Sequence, residues 1–254
     1  MSNVRQPGDS NPDWQAETLR LSLFLSPTAD TSLDLSWEKL TGELPESVES
    51  NPRLGTRQES GGFSSGVLAL VVRPQRIDCV LGPRETDDIS DVSFLSIAPF
   101  ALALEQFRPP ASRIIHFFPK VSRIALGVVL THPVDQKIQG YKQLAEFLPS
   151  VKLDPDGMSD FLYRINRPRP SQIIDGLQLN RLCTWSAAAR LNAHLPIIPV
   201  APPTISQEVF ARRVEMDINT AQDWKGDLPA AHLESIFGEL VTLSIEIAER
   251  GDQP

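Results

Sequence analysis

The chain of 254 residues is short of the side chains that most often announce chemistry. Its two cysteines, Cys79 and Cys183, stand far apart, so there is no disulfide framework and no C-x-x-C spacing for metal or redox work. The four histidines, His116, His132, His194 and His232, never fall at the H-x-x-x-H spacing that puts two ligands on one helix face. Neither GxxxxGK[ST] nor GxGxxG occurs, which removes the usual phosphate-cradling loops. Apolar runs are broken by Pro, Gly or Arg before they reach the ~18 residues of a membrane helix. The opening MSNVRQPGDSNP has no apolar signal core, so a cytoplasmic protein with reduced thiols is expected. Nothing here predicts a cofactor or a metal.

What is present is patterned core. Hydrophobic content of 41% and charged content of 22% suit a soluble globular chain, and 22 prolines imply ample loops. The net charge of −8 conceals a basic centre, because residues 101–213 hold 14 Lys/Arg against 8 Asp/Glu. Either the acidic termini and loops simply solubilise the chain, or the basic centre meets a polyanion or an acidic partner.

The clearest stretch is 210–250. Phe210, Arg212, Val214, Met216 and Ile218 alternate with Ala211, Arg213, Glu215, Asp217 and Asn219, the period of a strand with one buried face. Leu233, Ile236, Phe237, Leu240, Leu243 and Ile247 then recur at helical spacing, with Gly251 at the expected end. A strand and a long amphipathic helix must bury that helix against a sheet. Upstream, 19–25 predicts a first strand, 34–41 a short helix, 42–65 a long Gly/Ser/Glu-rich surface loop, and 66–73 with 76–81 a hairpin. A helix is expected from Ala98, ended by Pro109 and Pro110. The second half repeats the order: strand 121–131, helix 135–148, strands FLYRINR and LQLNRLCTWSAAAR, then the strand and helix above. The expected fold class is therefore α+β. It comprises tandem duplicated strand-helix-hairpin-helix units, a mostly antiparallel sheet, and helices packed on one face. The expected division is a flexible arm at 1–17, one unit at 18–110 and a second at 111–254.

The segments VSRIALGVVLTHPV…GYKQLAEFLPSV and RRVEMDINTA…LPAAHLESIFGELVT resemble a sporadically distributed bacterial family of about this length that has no assigned activity. The corresponding residues are Arg123, Asp217 in MDIN, and His232 with Ile236 and Phe237. The resemblance covers mainly the C-terminal half and implies an α+β bacterial cytosolic protein without catalytic residues to carry over. Gly127 and Val128 depart from it, since a more polar strand is expected there.

Candidate chemistry fails on context. Gly62, Ser64 and Gly66 fit G-x-S-x-G, but a nucleophile elbow needs a strand before the serine and a helix after it, and a strand follows here. Asp154, Asp156, Gly157 and Asp160 hint at a calcium loop whose glycine is misplaced. Glu215 and Asp217 share a strand face that could hold Mg²⁺, yet the preceding strands add no acid.

Two features carry the functional expectation. Arg164, Arg167, Arg169, Arg181 and Arg213 fall on three predicted strands and form a possible polyanion-binding set, with Tyr163 and Trp185 as stacking residues. The competing expectation is that such arginines pair with Glu215 and Asp217. Between the last two strands, Pro196, Ile197, Ile198, Pro199 and Val200 form an apolar, proline-spaced arm that would reach a partner or strap the core. The leading expectation is a non-enzymatic subunit that binds a protein partner or itself. The alternative is an RNA- or DNA-binding subunit of a defence-type, nucleic-acid-directed complex. The duplicated unit is similar to the RNA-binding repeat proteins of bacterial RNA-guided immunity, but their glycine-rich C-terminal loop is missing.

Overall fold

Alternation gives β1 (Gln15–Leu25) a row of buried leucines, Leu19, Leu21, Leu23 and Leu25, and the sheet is built outward from it. The computed structural model describes residues 13–27, 35–85, 93–194 and 204–253. After β1 come α1 (Trp37–Thr41), β2 (Ser47–Asn51), β3 (Thr56–Phe63), β4 (Gly66–Arg73), β5 (Arg76–Gly82), β6 (Ala98–Pro99) and α2 (Phe100–Phe117). The second half has β7 (Val121–Val134), α3 (Lys137–Phe147), β8 (Leu162–Asn166), β9 (Arg169–Pro170), β10 (Gln178–His194), β11 (Thr204–Thr220) and α4 (Leu233–Arg250). Among the described residues these form one 11-stranded sheet in the order β2-β3-β4-β5-β1-β7-β11-β10-β8, with β6 on β1 and β9 on β10. Every pairing is antiparallel. Outward from the β1–β7 junction, one side runs β1, β5, β4, β3, β2 and the other β7, β11, β10, β8.

Register aligns Leu68, Leu81, Leu19, Val128, Met216 and Cys183 across β4, β5, β1, β7, β11 and β10, all of them buried. The helices cover this face. The Trp37 indole of α1 donates to the Leu68 carbonyl at 3.2 Å, and Phe147 of α3 stacks on Trp185 of β10 with centroids 5.6 Å apart. Phe107 and Ile114 of α2 and Leu240 and Ile247 of α4 join the same core. Each such side chain contributes about 1.5–3 kcal/mol of transfer free energy.

Two expectations change. The long loop at 42–65 contains β2 and β3, because an edge ribbon with polar side chains on both faces leaves no apolar alternation to read. Pro109 and Pro110 do not stop α2, which runs on to Phe117. Burial of Ala111, Ile114 and Ile115 beyond them outweighs the lost backbone hydrogen bonds. Of the expected arm at 1–17, residues 1–12 lie outside the described residues, and β1 begins at Gln15; residue 110, where the two units were expected to meet, lies within α2. No described helix is long and apolar enough to cross a membrane.

Candidate interaction surface

The five arginines of the polyanion set lie on two opposite faces of the sheet. Arg181 shares the helix-covered face with Cys183 and is 3% exposed. Around it, Arg167 forms a two-pronged ion pair with Asp252, with Nη2 to Oδ2 at 2.9 Å, and Arg169 donates to Glu246 at 2.9 Å. Tyr163 adds a hydroxyl donated to Asp252 at 3.2 Å. The hydrogen bond from Arg167 holds the Asp252 carboxyl below its usual range, against the opposing effect of burial. Burial pushes Glu246 upward, but the hydrogen bond and charge of Arg169 prevail and lower it. Desolvation first, and then the Arg169 charge, lower Arg181. Arg167 and Arg169 clamp the end of α4 to the β8–β10 edge, which is structural work, and Arg181 lies buried beside them. Trp185 is buried against Trp14 and Phe147 and offers no ring to a base.

Arg164 and Arg213 face the other way, onto the side of the sheet opposite the helices. There, Thr18, Val129, Glu215, Thr184 and Arg164 form one row across β1, β7, β11, β10 and β8. The next row is Arg20, Gly127, Asp217 and Leu182. Together they line a cleft of about 410 Å³. The two carboxylates in it are engaged. Glu215 pairs with Arg213, which also reaches Glu17 at 3.0 Å, and Asp217 accepts from Asn219 at 2.9 Å. Asn219 in turn accepts from Asn180, and Asn180 from Asn166, at 3.1 and 2.9 Å, a side-chain chain across three strands. Arg20 and Arg164 are exposed, and among the described residues neither guanidinium has an ion-pair or hydrogen-bond partner. Sequence reading missed Arg20. Its signal was the glycine opposite it: a Cβ on Gly127 would lie 3.3 Å from the Arg20 guanidinium, so the missing side chain leaves room for Arg20 to lie across β7.

The remaining candidates fall elsewhere. Ser64 sits in the β3–β4 hairpin turn at φ 50° with strands on both sides, so G-x-S-x-G forms no elbow. Asp160 faces Lys137 at 3.5 Å. Among the described residues no group of three or more His, Cys, Asp or Glu could hold a metal. Cys79 and Cys183 are buried and unpaired, and burial pushes the Cys183 thiol up to about 12 and Cys79 higher still. The arm residues Pro196, Ile197, Ile198, Pro199 and Val200 lie outside the described residues. The strands leading to them, β10 and β11, stay paired from Leu179↔Thr220 to His194↔Thr204, whereas β7 reaches only Phe210 on β11. The pair therefore projects beyond β7 as a two-stranded ribbon.

Of the residues that carry the family resemblance, Arg123 lies 4.9 Å over the Phe24 ring, Asp217 lines the cleft, and Ile236 and Phe237 are core. His232 ends the short turn before α4. No family model and no curated protein matches the chain.

Proposed function

We propose that the chain is a non-enzymatic interaction protein that grips a protein partner, or a second copy of itself, on the sheet face its helices leave uncovered. The observation that carries this is the cleft in which Arg20 and Arg164 are unpaired while the neighbouring Glu215 and Asp217 are already engaged. Arg20 and Arg164 balance Glu215 and Asp217 in formal charge, but among the described residues no carboxylate contacts either guanidinium, and an acidic partner segment would supply direct counter-ions across a floor of Gly127, Val129 and Leu182. The proline-spaced arm, which joins β10 to β11 in the sequence, would add a second contact with the partner. Two tandem strand-helix-hairpin-helix units joined along β1 and β7 belong to the same reading; the outward strand orders favour it, apart from β2, which has no counterpart beyond β8. Membership of the sporadic bacterial family and a reducing cytoplasm belong to this reading, and the two buried free thiols accord with it.

Light scattering on the purified chain, with co-purification from its host, tests the proposal. The native chain should recover a partner or self-associate, and Arg20→Glu with Arg164→Glu should lose it. A strict monomer with no partner, or equal recovery by the variant, counts against it. Nucleic-acid binding ranks second. Three of its five arginines are spent on Asp252, Glu246 and the core, and Glu215 and Asp217 flank the other two. Filter binding across salt concentrations decides that reading: affinity that drops steeply with salt and requires Arg164 would restore it.

A further inference from the structure

A second cleft lies on the helix side, far in chemistry from the polar one. It is about 510 Å³ in volume and runs between the first half of α2 and the second half of α4. Its floor is Trp14, Phe100, Leu104, Val241 and Ala248, all buried. Ile245 on the α4 wall is 37% exposed. The walls are helical stripes, Ala101–Leu104–Arg108 and Val241–Ile245–Ala248, each about 10 Å long at 1.5 Å per residue. That length matches the i, i+4, i+7 anchors of a helix laid into a groove.

The rim has its own pattern. Asp13, Glu105 and Glu249 face a single cation, Arg108, and among the described residues none of the four is ion-paired. The floor, by contrast, has no directional group to spare. Its one polar atom, the Trp14 indole nitrogen, already donates to the Ala248 carbonyl at 2.9 Å. A small polar ligand needs convergent hydrogen-bonding groups inside its site. Here the polar groups stand only around the edge, which is the arrangement of a pocket for apolar anchors ringed by charge.

We infer that the α2–α4 cleft is a docking groove for an amphipathic helix whose apolar stripe is flanked by lysine or arginine. Two apolar anchors would fill the space over Trp14 and beside Ile245. The flanking cations would meet Asp13, Glu105 and Glu249.

The test uses the full chain and a dye-labelled, 18-residue Leu/Lys amphipathic peptide, read by fluorescence anisotropy. The same leucine pattern with Glu replacing Lys is the control. The Leu/Lys peptide should bind at least about ten-fold more tightly than the control, a difference of about 1.4 kcal/mol. Ile245→Arg and, separately, Ala101→Trp should each weaken it at least about ten-fold. Both positions are exposed, so both variants should keep the native circular dichroism spectrum. The Arg20→Glu/Arg164→Glu variant should bind the peptide as the native chain does, so failure here is separable from failure of the open-face reading. Equal affinity for the two peptides, or unchanged binding by both groove variants, would overturn the inference. So would saturable binding of dodecylammonium without binding of the peptide, which would assign the cleft to a small amphiphile.

Discussion

Asp252→Asn removes one negative charge from the clamp under α4 while preserving shape. In the native chain Arg167, Arg169 and Arg181 face Asp252 and Glu246, three cations against two carboxylates. The substitution leaves Glu246 alone to offset them, with Arg181 3% exposed and its Nε and Nη1 lacking hydrogen-bond partners among the described residues. The Asp252 side chain is 4% exposed, but Arg167 is 27% exposed, so solvent screens part of the loss. Removing one partner from a buried pair costs about 3–5 kcal/mol. The amide oxygen can still accept from Arg167, and that guanidinium reaches solvent, so a smaller loss, about 2 kcal/mol, is expected at pH 7. The sign with pH follows from the depressed carboxyl. Its contribution is fully present above the unfolded aspartate value of about 3.9 and is lost as pH falls through the lower folded value. Urea unfolding of both proteins between pH 7 and the acid limit should give two stability curves that converge below about pH 4. A difference under about 1 kcal/mol at pH 7, or one that persists unchanged into acid, would refute the clamp.

Gly127→Val should leave stability within about 1 kcal/mol, since the first atoms met are the far end of Arg20, while filling the open cleft and abolishing partner recovery in co-purification. Pro109→Ala should stabilise the chain by about 1–3 kcal/mol in thermal unfolding, because Pro109 sits exposed inside α2 and deprives the helix of a backbone donor. Gly251→Ala should destabilise by several kcal/mol in urea, as φ is 74° and the new Cβ would fall 2.1 Å from the Phe147 carbonyl oxygen. With the Cys183 thiol raised to about 12 and Cys79 higher, neither should react with a thiol reagent at pH 8 until the chain unfolds.

Period and burial were legible where they coincide. The alternation of 210–219 and the helical repeat of 233–247 become β11 and α4 because each has one apolar face and one polar face. The same signal fails at β2, whose Ser47–Asn51 residues are all exposed and so carry no apolar rhythm. It also fails at Pro109 and Pro110, where a local breaking preference is overridden by the apolar stripe that follows. The arginines could be read as strand residues, and of the expected acidic partners Arg213 does take Glu215. Tyr163 and Arg164 are forced onto opposite faces by the period of two. The carboxylates that occupy Arg167 and Arg169, however, arrive from the far end of the chain, at Asp252 and Glu246. Arg20 could not be found at all without register, because what frees its place is Gly127 on a strand that is neighbouring only in the sheet.

The central claim is that the uncovered sheet face holds the partner. A photo-crosslinking amino acid at Thr184, inside the open cleft, compared with one at Ser112 on α2, tests it in the host cell most directly. A discrete cross-linked species from position 184 that disappears on Arg20→Glu/Arg164→Glu substitution is the predicted result. Cross-links from position 112 with none from 184 would contradict it.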